Sequence, residues 1–235
     1  AAWLSPGDAV VFGSAEAPCK TVPGLMRNLA MAEAAVSALA RKVPSHLVYV
    51  SSDAVYVDGA ALVSEQTCRD PGSLHGAMHA AREVVLQASV KAPLAILRPS
   101  LLYGAGDPHN GYGPNRFRRA AQEGGTIQLG GEGEEKRDHV HVEDLAEIVW
   151  RCLERRSQGV LNVATGTSFS FREVAERVVA AFGPETKILG SPRTSPVTHR
   201  HFDPTATLRA FPTFRFTPFD EGLRKLRDEI AGEGR

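Results

Sequence analysis

Three short apolar runs separated by helical patterns set the fold class of this chain. DAVVFGSA (Asp8 to Ala15), HLVYVSS (His46 to Ser52) and LAILRPS (Leu94 to Ser100) are apolar and β-branched, with little alternation. That is the pattern of strands buried on both faces of a parallel sheet. Between them, an Ala-rich segment from Gly24 to Lys42 and a second from Ser73 to Ser89 read as helices. Strand, helix, strand, helix, strand predicts right-handed crossovers and a parallel α/β sheet.

The second run ends on Ser51, Ser52 and Asp53. Polar groups at the carboxyl end of a parallel strand lie where open α/β sheets collect ligands. The next helix carries His75 and His79 four residues apart, so both share one face and can point back at Ser52. Taken alone, the pair equally suits a polar strip on a helix surface. Its spacing also suits zinc, but no Glu follows the first His as in HExxH and no third ligand is evident, so no metal is expected. Ser52 does not read as a hydrolase nucleophile, because the glycine-flanked GxSxG elbow is absent.

Composition narrows the partners. With 235 residues, 43% of them hydrophobic, the chain can bury a sizeable core. Lys plus Arg equals Asp plus Glu at 27 each, so nothing steers the whole molecule toward nucleic acid or a membrane surface. No apolar run reaches the roughly 18 residues of a membrane span, and AAWLSPGDAVVFG lacks the charged start of a signal peptide. Cys19, Cys68 and Cys152 are few and odd in number, which fits a reducing cytoplasm.

The second half is more mixed. LLYGAGDPHNGYGPN, dense in Gly, Pro and Asn, reads as a loop long enough to cover a site. It gives the best boundary, between 1–105 and 106–235. Beyond it, a helix from Asn115 to about Glu123 leads to TIQLGG, a charged loop, the short strand HVHV, a helix from Glu143 to Arg156 and a strand from Gly159 to Thr165. Ser170 and Glu173 form a capping box that opens a helix ending near Gly183. Asp203 with Pro204 and Thr217 with Pro218 read as N-cap and N1 pairs opening two last helices. Arg116, Arg118, Arg119 and Arg200 read as solvated cations.

SSDAVY, SLHGAMHAARE, LRPSLLYGAGD, GGEGEEKRDHVHVEDLA, LNVATGTSFSFREVAERV and DPTATLRAF occur in the order seen in extended short-chain dehydrogenase/reductases. From about Asp8 to Leu226 the chain thus resembles the NAD-dependent epimerase/dehydratase family acting on nucleotide sugars, with RDHVHVEDLA the most specific piece. The resemblance implies a Rossmann-type sheet with a smaller carboxyl-terminal substrate domain, NAD or NADP as cofactor, a nucleotide sugar as substrate, and a homodimer through the helices at 24–42 and 73–89. It implies catalytic roles for Ser52, Asp53, His75 and His79. Cofactor contacts fall to Ser14, Ala15, Asn28, His79, Pro99 and Ser100, although Asn28 reads as well as an ordinary helix-surface residue. Arg137 matches the arginine that meets the substrate diphosphate, a task suited to a guanidinium fork; the bland reading is a surface Arg paired with a nearby carboxylate.

Two departures accompany the match. The chain opens at what resembles the family's fourth strand, so the glycine-rich turn that takes the cofactor pyrophosphate is expected to lie outside it. Gly104 to Gly106 and Gly131 to Gly133 are not substitutes, because neither sits between a buried strand and a helix with the third glycine in place. His75 and His79 stand where the family has Tyr and Lys, and Ala54 stands where dehydratases place Glu. His75 can still exchange a proton, since the unperturbed imidazole value of about 6.5 suits neutral pH; His79 is a shorter and mostly neutral replacement for lysine. Two classes stay open: an epimerase, dehydratase or reductase with an altered acid/base group, and a non-catalytic nucleotide-sugar or dinucleotide binder.

Overall fold

The computed structural model describes residues 4, 5, 7–107, 110, 113–193 and 195–233. Its centre is a parallel sheet in the order β1-β2-β3-β7, made of β1 (Ala9–Phe12), β2 (His46–Val50), β3 (Leu94–Pro99) and β7 (Gly159–Val163). α1 (Val22–Arg41) joins β1 to β2, α2 (Leu74–Ser89) joins β2 to β3, and the two helices pack side by side. Each begins on a hydroxyl cap: Thr21 Oγ1 accepts from Gly24 N, and Ser73 Oγ accepts from Gly76 N.

The period of two along β2 sends its side chains into two separate cores. Leu47 and Tyr49 meet Leu39 of α1 and Leu86 of α2. Val48 faces the opposite way, into a cluster with Phe211 and with Leu145 and Ile148 of α4 (Val142–Arg155). Helices therefore cover both faces, and the three expected strands are parallel neighbours. The first is shorter than expected, and Ala9 and Val11 are exposed. Among the described residues β1 pairs only with β2 and stands at one side of the sheet.

The remaining strands form two small sheets. β4 (Leu101–Tyr103) pairs in parallel with β6 (Lys136–His141), which pairs antiparallel with β8 (Ser168–Ser170); β5 (Thr126–Gly130) pairs in parallel with β9 (Lys187–Ser191). α3 (Gly113–Gln122), α5 (Phe171–Phe182) and α7 (Phe219–Glu233) enclose a second core of Tyr103, Phe117, Ile127, Leu129, Val174, Val178, Phe219 and Leu226. α6 (Thr205–Ala210) packs on β7.

Several expectations need correction. Leu101 to Tyr103 is strand, not loop, because the chain continues past Pro99 and Ser100 to pair with β6; of the loop that was expected to cover a site, residues 108, 109, 111 and 112 lie outside the described residues. Ser168–Ser170 and Lys187–Ser191 are strands that carry no strong alternation. The capping box at Ser170 and Glu173 is present. Asp203 accepts from Thr205 N, but the helix starts one residue later than the Asp-Pro pair suggests, with Pro204 at its cap. Thr217 donates its N–H and its hydroxyl to Asp144 instead of capping α7. Arg118 is buried, bonded to Gln122 rather than solvated.

Candidate active site

The carboxyl ends of β1, β2 and β3 open into a cavity of about 510 Å³. Ser52, Asp53, His75, His79, Pro99 and Ser100 line it, with Gly13, Ala15, Ala17 and Pro18 from the loop after β1. Ser14 and Asn28 are not part of this wall. The Ser14 carbonyl accepts from Arg82, and Asn28 is fully buried, clamping the loop by accepting from Glu16 N and donating to the Glu16 and Gly24 carbonyls. Asn28 is thus no ordinary helix-surface residue, because the loop folds back over α1.

α2 comes close enough to present its histidines because residue 76 is glycine. A Cβ there would sit 2.0 Å from the Ala54 carbonyl oxygen and 2.6 Å from Pro71 Cβ, closer than packed atoms approach. The first turn of α2 therefore rests on the 3₁₀ turn at Asp53–Val55, which Ser52 caps by accepting from Ala54 N at 3.1 Å.

The two histidines differ. His75 is half-buried and accepts from the Cys19 N–H at Nδ1 over 3.4 Å; its ring meets that of His79 edge to face, 4.9 Å between centroids. His79 is 5% exposed, so the surface-strip reading fails for it: its helix face turns onto β2, where Nδ1 lies 2.8 Å from the Tyr49 hydroxyl. Burial, with His75 and Arg82 nearby, pushes the His79 pKa down to about 3. It is a neutral residue at any physiological pH.

A second cavity of about 430 Å³ adjoins the first, sharing Asp53 and Leu101 as wall. Arg137 and Arg200 both line it. Arg137 donates to the Thr198 carbonyl, to Thr198 Oγ1 and to Glu135, so carboxylate pairing takes up part of its capacity. Arg200 is not solvated. It bridges Asp53, at 3.2 Å, and Asp58 with its side chain only 12% exposed. Burial raises the Asp53 pKa, and Arg200 opposes that rise.

Behind the site lies a polar network that the sequence does not announce. Glu83, fully buried, takes two bonds from Arg98 and one from Ser51, while Arg98 also donates to the Tyr56 hydroxyl, which donates to Asn162. It joins α2, β3 and β7 to Ser51, which follows β2 and lines the cavity. Among the described residues no group of His, Cys, Asp or Glu could hold a metal ion, and no helix is long and apolar enough to cross a membrane.

The cavity tests the fit of a dinucleotide. Its wall is mostly small and apolar at the open ends of parallel strands, which suits a nicotinamide riboside. Gly131 and Gly133 lie between two strands, β5 and β6, and so offer no strand-to-helix cradle for a pyrophosphate; Gly104 and Gly106 do follow β4 and precede α3, in a connection whose residues 108, 109, 111 and 112 lie outside the described residues.

Comparison with known proteins agrees with this architecture. A dTDP-L-rhamnose 4-epimerase from Burkholderia thailandensis is 30% identical over 179 residues, covering 72% of this chain. A dTDP-4-dehydro-6-deoxy-D-allose reductase from Streptomyces bikiniensis is 34% identical over 99 residues, 40% of this chain. The chain spans about half the length of the first relative, 49%, and 29% of the second. Among solved structures, the UDP-glucose 4-epimerase of Thermus thermophilus in complex with NAD superposes with a TM-score of 0.85 at 25% identity, covering 96% of this chain and 78% of that one. MoeE5 in complex with UDP-glucose and NAD gives 0.84 at 23%, covering 97% and 80%. The sequence model of the NAD dependent epimerase/dehydratase family matches residues 13–164, and the chain belongs to that family.

Proposed function

We propose that this chain is the nucleotide-sugar-binding, NAD(P)-dependent part of an epimerase, dehydratase or reductase whose acid/base position is histidine. The observation that carries this reading is the pair of adjoining cavities with Asp53 in the common wall: one apolar and lined by His75 and His79, the other flanked by Arg137 and Arg200. Such a division suits a ligand with a sugar at one end and a diphosphate at the other. Ala15, His79, Pro99 and Ser100 would hold the nicotinamide riboside, with Ser14 and Asn28 acting through the loop they tie down. The dinucleotide, when bound, supplies the hydride acceptor and donor. Ser52 and His75 stand nearest the role of holding a sugar hydroxyl, and the His75 imidazole is the side chain of the proton-exchanging type among them. Arg137 and Arg200 would meet the diphosphate through charge-assisted bonds.

A second reading, a catalytically degenerate binder, draws support from one observation: His79 is buried against Tyr49 and cannot carry the charge of a lysine. Calorimetric titration with NADH, UDP-glucose and dTDP-glucose, followed by turnover assays, separates the two. Binding with any measurable turnover, however slow, supports the enzyme, binding without turnover the degenerate protein, and no binding of any probe refutes both.

The same proposal extends to assembly and layout. Val22, Met26 and Val84 are exposed on the packed pair α1 and α2, and we take this face as the seam of a homodimer. Sedimentation showing only monomer at micromolar concentration refutes it. Residues 1–105 would serve the cofactor and 106–235 the sugar nucleotide, apart from β7, which completes the central sheet.

A further inference from the structure

Beneath the cavity wall, Tyr49 has no surface exposure and a hydroxyl 2.8 Å from His79 Nδ1. A phenol and a neutral imidazole share one proton in such a contact, and it can lie either way. The chemistry favours one direction. A pyridine-type imidazole nitrogen is a better acceptor than a phenol oxygen, and a phenol is a better donor than an imidazole N–H. Burial keeps the Tyr49 proton in place, pushing its pKa far above the ordinary value against the pull of Arg82. The neighbouring hydroxyl, Ser51, gives its own proton to Glu83.

We propose that Tyr49 sets the tautomer of His79, donating to Nδ1 so that Nε2 keeps the ring proton and serves an acceptor oxygen in the cavity. Tyr49 is thus a positioning residue, acting on the ligand through His79. This rests on the reading above, in which His79 meets the ribose or sugar hydroxyls, and it goes further by assigning the kind of contact made. His79 would replace the cation of its relatives with a neutral, directional N–H. The groups around it agree. His75 and Arg82 from α2 both disfavour an imidazolium, Phe12 and Tyr49 supply ring faces to the Arg82 guanidinium, and the Glu83 carboxylate, one turn further along α2, is taken up by Arg98, Arg69 and Ser51. His79 is 5% exposed and lines the cavity.

The direct test is long-range ¹H–¹⁵N correlation of the histidine rings in the unmodified chain. Expected is an Nε2–H tautomer for His79, unchanged between pH 8 and pH 5. An Nδ1–H tautomer, in which Tyr49 instead donates to Ser51, overturns the proposal, as does an imidazolium at pH 7. Tyr49→Phe keeps the ring and removes only the donor. It should turn His79 into a mixture of tautomers and weaken NADH binding about three- to tenfold; retention of a single Nε2–H form overturns the role of Tyr49. Should that variant not fold, His79→Gln and His79→Asn carry the binding test, since the Gln amide reaches the Nε2 position and the Asn amide the Nδ1 position. Gln should hold NADH affinity within about threefold while Asn and Ala lose about tenfold; equal losses in all three overturn the donor role. NADH that fails to bind the unmodified chain refutes the functional reading, and the spectra still decide the tautomer.

Discussion

Arg200 reaches across 147 residues of sequence to place Nη1 3.2 Å from Asp53 Oδ2 and 3.1 Å from the Asp53 carbonyl oxygen. The contact pins the segment before α6 to the turn that follows β2. It also puts the main counter-charge of a buried carboxylate in the wall of the second cavity, so one residue couples folding to the proposed anion site.

Arg200→Ala leaves Asp53 buried without its partner. Removing one member of such a pair costs about 3 kcal/mol. The Asp53 pKa is already raised in the folded chain, so without Arg200 its ionisation opposes folding more strongly as pH rises above the unfolded value. The deficit in urea-melt stability should therefore be larger at pH 7 than at pH 4. A deficit equal at both pH values contradicts the pairing.

Arg137→Ala is expected to leave stability nearly unchanged, because its partners Glu135 and Thr198 retain contact with each other. UDP-glucose affinity, measured by calorimetry, should fall about thirtyfold, the equivalent of about 2 kcal/mol for a charge-assisted bond. Unchanged affinity returns Arg137 to the role of a structural ion pair.

His139 is 3% exposed, packed among Phe171 and Phe219. Burial lowers its pKa to about 4, as it lowers that of His79 to about 3. The unfolded chain binds these protons near pH 6.5 and the folded chain does not, so stability is full above about 6.5 and declines as pH falls toward 4. Each histidine should cost about 2 kcal/mol at pH 5. His139→Phe should raise the melting temperature at pH 7 and flatten its fall between pH 7 and 5. A variant with an unaltered acid slope shows that other groups control it.

How far the sequence reaches depends on what kind of contact each residue makes. β2, β3, α1 and α2 are legible because burial against a sheet imposes a period that local composition reveals. Ser52, Asp53, His75 and His79 come together as expected, since a strand end and the face of the next helix are coupled by one short connection. Arg200 reads wrongly as a solvated cation because its partners, Asp53 and Asp58, are far away in sequence; charge next to His199 and His201 looks like solvent exposure until the fold closes. The same holds for Glu83 with Arg98, a pair spanning α2 and β3, and for Tyr49, whose strand position implies burial but not the imidazole it meets. Asn28 is a residue to which the family resemblance points, yet its bonds go to Glu16 of the preceding loop and to Gly24 of its own helix.

The chain should not carry out hydride transfer with UDP- or dTDP-glucose at about 1 per second or faster. His75 accepts at Nδ1 from the Cys19 amide, so its lone pair is partly engaged, and His79 stays neutral under Tyr49. Loss of positioned acid/base catalysis costs roughly 10²–10⁴-fold. The double variant His75→Tyr, His79→Lys restores a phenol and an ammonium on the same face of α2, but the lysine must then displace its charge from the Tyr49 side toward the cavity. With NAD supplied in excess, absorbance at the NADH band should rise faster for the double variant than for the unmodified chain. Ordinary turnover by the unmodified chain makes histidine a competent acid/base group here; slow turnover by both places the defect in cofactor binding rather than in the histidines.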